Sequence, residues 1–379
     1  MKNKRYFLYV AILVFIVVLI FQWKYKKNIS EHSAEQQIAL LVSYQKGKYY
    51  TENGGGYKEC EDVEWDSCVI NLQEQFYELD RILLSFTSPY RHPILFLDSE
   101  MKVIKQEFPR DGTFSTALDS DMRYITIGLR KEEAKNVSIS GILSDAGLES
   151  MNENCRMANC YFGKNVSIIG DSLSAYEGYI REEYYSVYPA ADVTVQDMWW
   201  YQVARTLGMN ICNVNACASS GVTALTWNGL TPDMAGEAGR GTELSQLDRN
   251  PDVIWVLLGG NDMIAGVSRQ DISESYRKMM NDIVSTYPDA EIFLITYDLA
   301  YLQTLDPENW LNMEIKKIAG EYEAKIIDME NSGISLEKPE DCFIDVSPEN
   351  YNLGIHPNKA GFQLLADRMT EQMLGESEG

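Results

Sequence analysis

Asn165-Val-Ser-Ile-Ile-Gly-Asp-Ser-Leu-Ser174 decides how this sequence is read. The apolar run at 165–169 predicts a short buried strand. Gly170 permits a tight turn, and Ser172 then stands just past the strand end, at the open edge of a sheet. Outward from this stretch, strand and helix alternate. Asp197 is expected to cap a helix with Trp200, Val203, Ala204 and Leu207 on one face, stopped by Gly208. Residues 210–215 and 253–258 predict strands, the second apolar enough for burial on both faces. A helix starting at Asp271 carries Ile272, Tyr276, Met279, Ile283 and Tyr287 on one stripe and ends at Pro288. A strand at 291–297 follows, then a helix marked by Leu311, Ile315, Ile318 and Tyr322, a strand at 325–329 and a last helix at 358–373. This alternation implies an α/β unit with a parallel sheet and helices on both faces. Sites in such sheets form at the carboxyl ends of the strands.

The strand ends carry the chemistry. The strand at 210–215 leads to Ser219-Ser-Gly-Val-Thr223, and that at 253–258 leads to Gly259-Gly-Asn-Asp262. His356-Pro357-Asn358 stands just before the last helix. The chain has three histidines, and His32 and His92 precede this unit, so His356 is its only imidazole. A multi-histidine metal site is thereby excluded from the unit, and only one imidazole can act as base. A serine hydroxyl becomes a useful nucleophile when an imidazole takes its proton. A tetrahedral oxyanion is stabilised by aimed N–H donors, which Asn261 supplies without bringing a charge. Asp262 is expected to support local structure, and Trp199-Trp200 to form core and cleft wall.

Gly170-Asp-Ser-Leu173, Gly221, Gly259-x-Asn-Asp262 and a late His356-Pro357, in that order, resemble the sequence blocks of the SGNH, or GDSL, hydrolases. The resemblance covers about residues 164–374. It implies a flavodoxin-like three-layer α/β/α fold, with Ser172 as nucleophile and His356 as general base. It also implies an oxyanion hole made of the N–H groups of Ser172 and Gly221 and the amide of Asn261, with no cofactor and no metal. Ser174-Ala-Tyr-Glu-Gly178 and Trp199-Trp-Tyr201 look like a subgroup of secreted or anchored bacterial members. One departure stands out: the family places an aspartate three residues before the histidine, where this chain has Leu353. Three alternatives remain: a Ser–His dyad, a displaced carboxylate from Asp345 or Glu349, or a domain that has lost most of its activity. The expectation is the dyad.

Upstream, residues 57–140 hold short strand-like runs separated by turn residues, as in Phe108-Pro-Arg-Asp-Gly112. They predict a small β-sandwich at 57–150, resembling the jelly-roll-like modules that precede hydrolase domains in secreted bacterial proteins, with the hydrolase domain at 160–379. Residues 28–56, ending in Asn53-Gly-Gly-Gly56, read as a stalk. Residues 6–23 are almost wholly apolar and would span roughly 27 Å as a helix. Lysines follow this run and no small-x-small cleavage site does, so 1–27 reads as an uncleaved transmembrane anchor, N-terminus in, with the bulk of the chain outside the cytoplasm.

The chain has 379 residues and a formal net charge of −23. Such a charge repels phosphate backbones, which argues against nucleic acid as a partner and against strongly polyanionic substrates. Seven cysteines include the close pairs Cys60/Cys68 and Cys155/Cys160, which could close small disulfide loops; none has zinc-ribbon spacing. The functional expectation is an extracytoplasmic serine esterase or deacylase that removes acetyl or other short acyl groups from a carbohydrate. The alternatives are an O-acyltransferase to a glycan using the same residues and a non-catalytic glycan-binding protein on a degenerate hydrolase fold.

Overall fold

The computed structural model describes residues 37–376 apart from 87–91, 110–111, 133–136, 156–159, 224, 226–238, 248, 299–301, 303–304, 331, 335–337 and 347–353. The apolar run at 6–23 lies outside the described residues. Among the described residues, no helix is long and apolar enough to cross a membrane.

The first part of the chain is antiparallel β-structure. Its strands are β1 (Gln37–Ala39), β2 (Ser43–Asn53), β3 (Gly56–Asn71), β4 (Leu79–Phe86), β5 (Ile94–Leu97), β6 (Val103–Glu107), β7 (Gly112–Ala117), β8 (Tyr124–Arg130) and β9 (Val137–Leu143). They form a four-stranded sheet, β1-β9-β4-β7, and a five-stranded sheet, β2-β3-β8-β5-β6. Alternation sets which residues face inward: in β4, Ile82, Leu84 and Phe86 are buried while Leu83 and Ser85 are not. They join Cys68 and Ile70 of β3, Ile125, Ile127 and Leu129 of β8, and Val137 and Ile139 of β9 in one apolar cluster.

Two expectations are corrected here. The stalk at 28–56 contains β1 and β2, so the β-rich region begins at Gln37 and not at Tyr57. The glycine run at its end is a turn: Asn53 pairs with Gly56, and Gly54 and Gly55 take the left-handed backbone that closes the β2–β3 hairpin. Cys60 and Cys68 are free thiols on the same strand. Their partners on β2, Tyr49 and Tyr44, lie five residues apart, which holds the two cysteines roughly 17 Å apart, far beyond disulfide reach. The side chain of Cys155 lies outside the described residues.

The α/β unit follows: α1 (Asp145–Cys155), β10 (Asn165–Gly170), α2 (Trp199–Leu207), β11 (Asn210–Ala216), β12 (Val253–Leu257), α3 (Gly260–Ile264), α4 (Arg269–Thr286), β13 (Glu291–Ile295), α5 (Trp310–Glu321), β14 (Lys325–Ile327) and α6 (Lys359–Glu376). The strands β10 to β14 form one five-stranded parallel sheet ordered β11-β10-β12-β13-β14. Counted within the unit this is 2-1-3-4-5, the flavodoxin-like order. Every residue of β12 is buried, and α2 packs on α6 and α4 on α5. Two helix starts move. The residue before α2 is Met198, while the Asp197 carboxylate accepts the N–H of Thr194 at 2.7 Å in the preceding turn. Ser268, not Asp271, caps α4 by accepting the Asp271 N–H at 3.1 Å.

The two parts are joined at a short 3₁₀ turn, Leu72–Glu74. Tyr201 donates its hydroxyl to the Glu74 carbonyl at 2.9 Å, Gln196 donates its amide to the Gln73 carbonyl at 2.9 Å, and the Tyr201 and Phe76 rings meet edge to face at 4.8 Å. Because Leu84 is wholly buried in the β-rich cluster, Leu84→Ala should destabilise that region by about 2–5 kcal/mol, read by denaturant unfolding. A change well under 1 kcal/mol would contradict this packing.

Candidate active site

The nucleophile turn is built around Gly170 and Asp171. A Cβ on Gly170 would lie 2.3 Å from the Ser174 hydroxyl, so the turn closes only with glycine there. The Asp171 carbonyl accepts the N–H groups of Ser174 and Ala175 at 3.1 and 3.0 Å, and its carboxylate accepts the Leu173 N–H at 3.0 Å and the Tyr297 hydroxyl at 3.1 Å. From α2, the indoles of Trp199 and Trp200 donate to the carbonyls of Leu173 and Ser174 at 3.1 and 2.9 Å. The tryptophan pair is buried core, as expected, and each also holds the turn from below. Ser172 is thereby fixed in place with its Oγ at the sheet edge.

That Oγ lies 2.9 Å from His356 Nε2. His356 Nδ1 lies 2.8 Å from Asp345 Oδ2, and the other carboxylate oxygen accepts the N–H groups of Ile355 and His356 at 2.9 and 3.1 Å. An ionised carboxylate can only accept, so Nδ1 carries the proton and Nε2 is free to accept from the serine hydroxyl. Burial works against charge on Asp345, but the bonds from His356 and the two N–H groups outweigh it and hold the carboxyl below the usual range. The expectation of a dyad is therefore corrected. Asp345, one of the displaced carboxylates the sequence left open, occupies the third position, eleven residues upstream of the histidine. Leu353 and Glu349 lie outside the described residues.

Gly221 and Asn261 meet at the same edge. Asn261, in α3 after β12, donates one amide hydrogen to the Ser220 carbonyl at 2.9 Å. No hydrogen bond among the described residues uses its other amide hydrogen or the N–H groups of Ser172 and Gly221. Asp262 is wholly buried and accepts the N–H groups of Val222 and Thr223 at 2.8 and 2.9 Å. A Cβ on Gly221 would lie 2.3 Å from that carboxylate, which accounts for the glycine. Sequence reading missed Arg240. Its guanidinium is wholly buried and donates to Asn215 Oδ1 at 2.9 Å, Ser220 Oγ at 2.8 Å, the Gly170 carbonyl at 2.7 Å and the Asn215 carbonyl. It ties the ends of β10 and β11 to the loop that carries Gly221. No motif marks it, because all its acceptors are distant in sequence.

A model of the GDSL-like lipase/acylhydrolase family matches residues 168–364, just over half of the chain. The chain belongs to this family. As a GDSL-family protein it is a hydrolase of ester bonds. No curated relative matches its sequence. Among solved structures, this GDSL-family chain is similar to a family two carbohydrate esterase from Clostridium thermocellum in complex with cellohexaose, 14% identical, with 89% of this chain and 99% of that one aligned at a TM-score of 0.43. It is also similar to a family two carbohydrate esterase from Cellvibrio japonicus, 12% identical over 90% and 98% of the two chains, TM-score 0.41. A member of the lipolytic G-D-S-L family from Veillonella parvula is 17% identical over 55% and 96%, TM-score 0.38.

Burial pushes Asp171 up from 3.8 to about 6, against the opposing hydrogen bonds of Leu173 and Tyr297. The folded state then binds this proton more tightly than the unfolded chain. The resulting stability is fully present below pH 4 and is lost as pH rises through about 6. Compared with Asp171→Asn, which keeps an acceptor for Leu173, the wild type should lose about 2 kcal/mol of unfolding free energy between pH 4 and pH 7.5. Denaturant titrations at the two pH values measure the difference. An unchanged gap would contradict a buried, reluctantly ionised Asp171.

Proposed function

We propose that this chain is an extracytoplasmic serine esterase that removes acetyl or other short acyl groups from a carbohydrate. The observation that carries the reading is the continuous hydrogen-bonded relay from Ser172 through His356 to Asp345. In it Ser172 attacks the ester carbonyl while His356 takes the hydroxyl proton, and Asp345 holds the imidazole and offsets its developing charge. The N–H groups of Ser172 and Gly221 and the free amide hydrogen of Asn261 receive the oxyanion. His356 then returns the proton to the departing sugar oxygen, and water resolves the acyl-enzyme by the same route in reverse. The relay is complete, which favours a working hydrolase over a binding protein on a degenerate fold.

One feature supports a neutral carrier. The net charge of −23 repels polyanionic carriers.

With p-nitrophenyl acetate, Ser172→Ala and His356→Ala should each lower kcat by on the order of 10³ or more. Asp345→Asn should cost about 10⁴ if it orients the base as such a carboxylate does. A loss under ~10-fold in Asp345→Asn would return the account to a dyad. We also propose that residues 6–23 tether the chain with its hydrolase outside the cytoplasm, on the strength of that apolar run and its basic flanks. Protease added to intact spheroplasts should then release a soluble, active fragment. Digestion only after lysis would reverse the topology.

A further inference from the structure

A cleft of 430 Å³ lies between β2 and the segment that follows the nucleophile turn. Its walls include Tyr44 and Gln45 from β2, and Glu177, Tyr184, Tyr185 and Ser186 from the α/β unit. The proposed ester hydrolysis uses none of these residues. We propose that this cleft is a binding subsite for a neutral oligosaccharide, holding the sugars next to the one that carries the acyl group. The proposal rests on the carbohydrate reading above.

Three observations support it. The cleft is joined to the site through short links. The Tyr185 carbonyl accepts the N–H of Ala218 at 2.7 Å, three residues before Gly221. The Tyr184 ring lies 5.7 Å from the Arg240 guanidinium, which itself grips the Gly170 carbonyl two residues before Ser172. At the far end of the same segment, Tyr188 donates its hydroxyl to the Pro357 carbonyl at 2.7 Å, beside His356. A ligand along this segment would therefore touch the wall that carries the catalytic loops.

The lining also has the right chemistry. Tyr185 is 51% exposed, so part of its aromatic surface is open to a ligand. Around it stand the Glu177 carboxylate, the Gln45 amide and the Ser186 hydroxyl, which can give and take hydrogen bonds from sugar hydroxyls. An apolar face beside a few placed polar groups is the usual make-up of a small-molecule site of this volume.

Finally, Arg181, the cation in the cleft lining, is already paired, and so is Lys48, which pairs with the lining residue Glu182. Arg181 pairs with Glu243, and Lys48 pairs with Glu182 and, at 3.3 Å, with Glu59. An anionic ligand would meet carboxylates without an unpaired partner for its own charge, so the cleft fits a neutral chain.

The test is calorimetric titration of two neutral β-1,4-linked hexasaccharides, xylohexaose and hexa-N-acetylchitohexaose, into the full chain carrying Ser172→Ala. Binding of at least one is expected. Adding Tyr185→Ala should weaken it roughly tenfold or more, the usual cost of truncating a central tyrosine contact. Ser186→Trp, which fills the cleft from its wall, should weaken it as well; both variants should keep the wild-type unfolding midpoint. Failure of both sugars to bind would overturn the proposal, as would binding that neither substitution changes. Turnover of p-nitrophenyl acetate by the wild type is scored separately. Esterase activity without oligosaccharide binding defeats the cleft alone, and cleft-dependent binding without esterase activity defeats the hydrolase reading alone.

Discussion

The carboxylate of Asp345 receives three N–H donors from two consecutive residues: the backbone N–H groups of Ile355 and His356 on one oxygen and the His356 ring on the other. This clamp holds the backbone of Ile355 and His356 and the imidazole together. The backbone bonds set where the histidine begins, and the ring bond sets its tautomer and plane. With Nδ1 occupied, Nε2 can only face Ser172. The geometry of the relay thus depends less on the serine than on the Asp345 carboxylate. The α/β sheet supplies the other half, because β10 sits at the point where strand order reverses, the place where sheets of this order carry their sites.

Beneath the site lies a set of buried charges satisfied by hydrogen bonds rather than by ion pairs. Asp171, Asp262 and Arg240 are all at or near zero exposure. Burying each is costly unless its donors and acceptors are met. Asp262 meets the backbone of the loop after Gly221, Arg240 meets the ends of β10 and β11, and Asp171 meets the turn around Ser172. Each therefore binds backbone from a different strand end to a neighbour. Networks of this kind are rigid when complete, because any movement strands a charged group without partners. A site whose donors must point at an oxyanion is served by such rigidity.

Much of this was legible in the sequence. The strand at 165–169, the helices with one apolar stripe and the four sequence blocks marked the sheet edge near which Ser172, Gly221, Asn261 and His356 stand. What sequence reading got wrong has a physical pattern. Spacing to the histidine suggested that Leu353 left it unsupported, yet the carboxylate of Asp345, eleven residues away, meets it, and no periodicity encodes that pairing. Asn53-Gly-Gly-Gly56 looked like a flexible linker because left-handed glycines serve tight turns and loose chain alike. Cys60 and Cys68 looked like a loop-closing pair until both proved to lie on β3, opposite residues five apart on β2. Arg240 was invisible because its acceptors are backbone carbonyls and side chains scattered along the chain.

The most direct test of the relay is a low-field proton NMR spectrum of the full chain in water. A hydrogen-bonded imidazole N–H facing a carboxylate gives a slowly exchanging resonance well downfield of the amide region, and with three histidines in the chain its assignment is tractable. The account expects such a resonance from His356 Nδ1–H in the wild type, lost in His356→Ala and lost or moved strongly upfield in Asp345→Asn. Its absence from the wild type, or its survival unchanged in Asp345→Asn, would contradict the assignment of Asp345 as the group that orients the base.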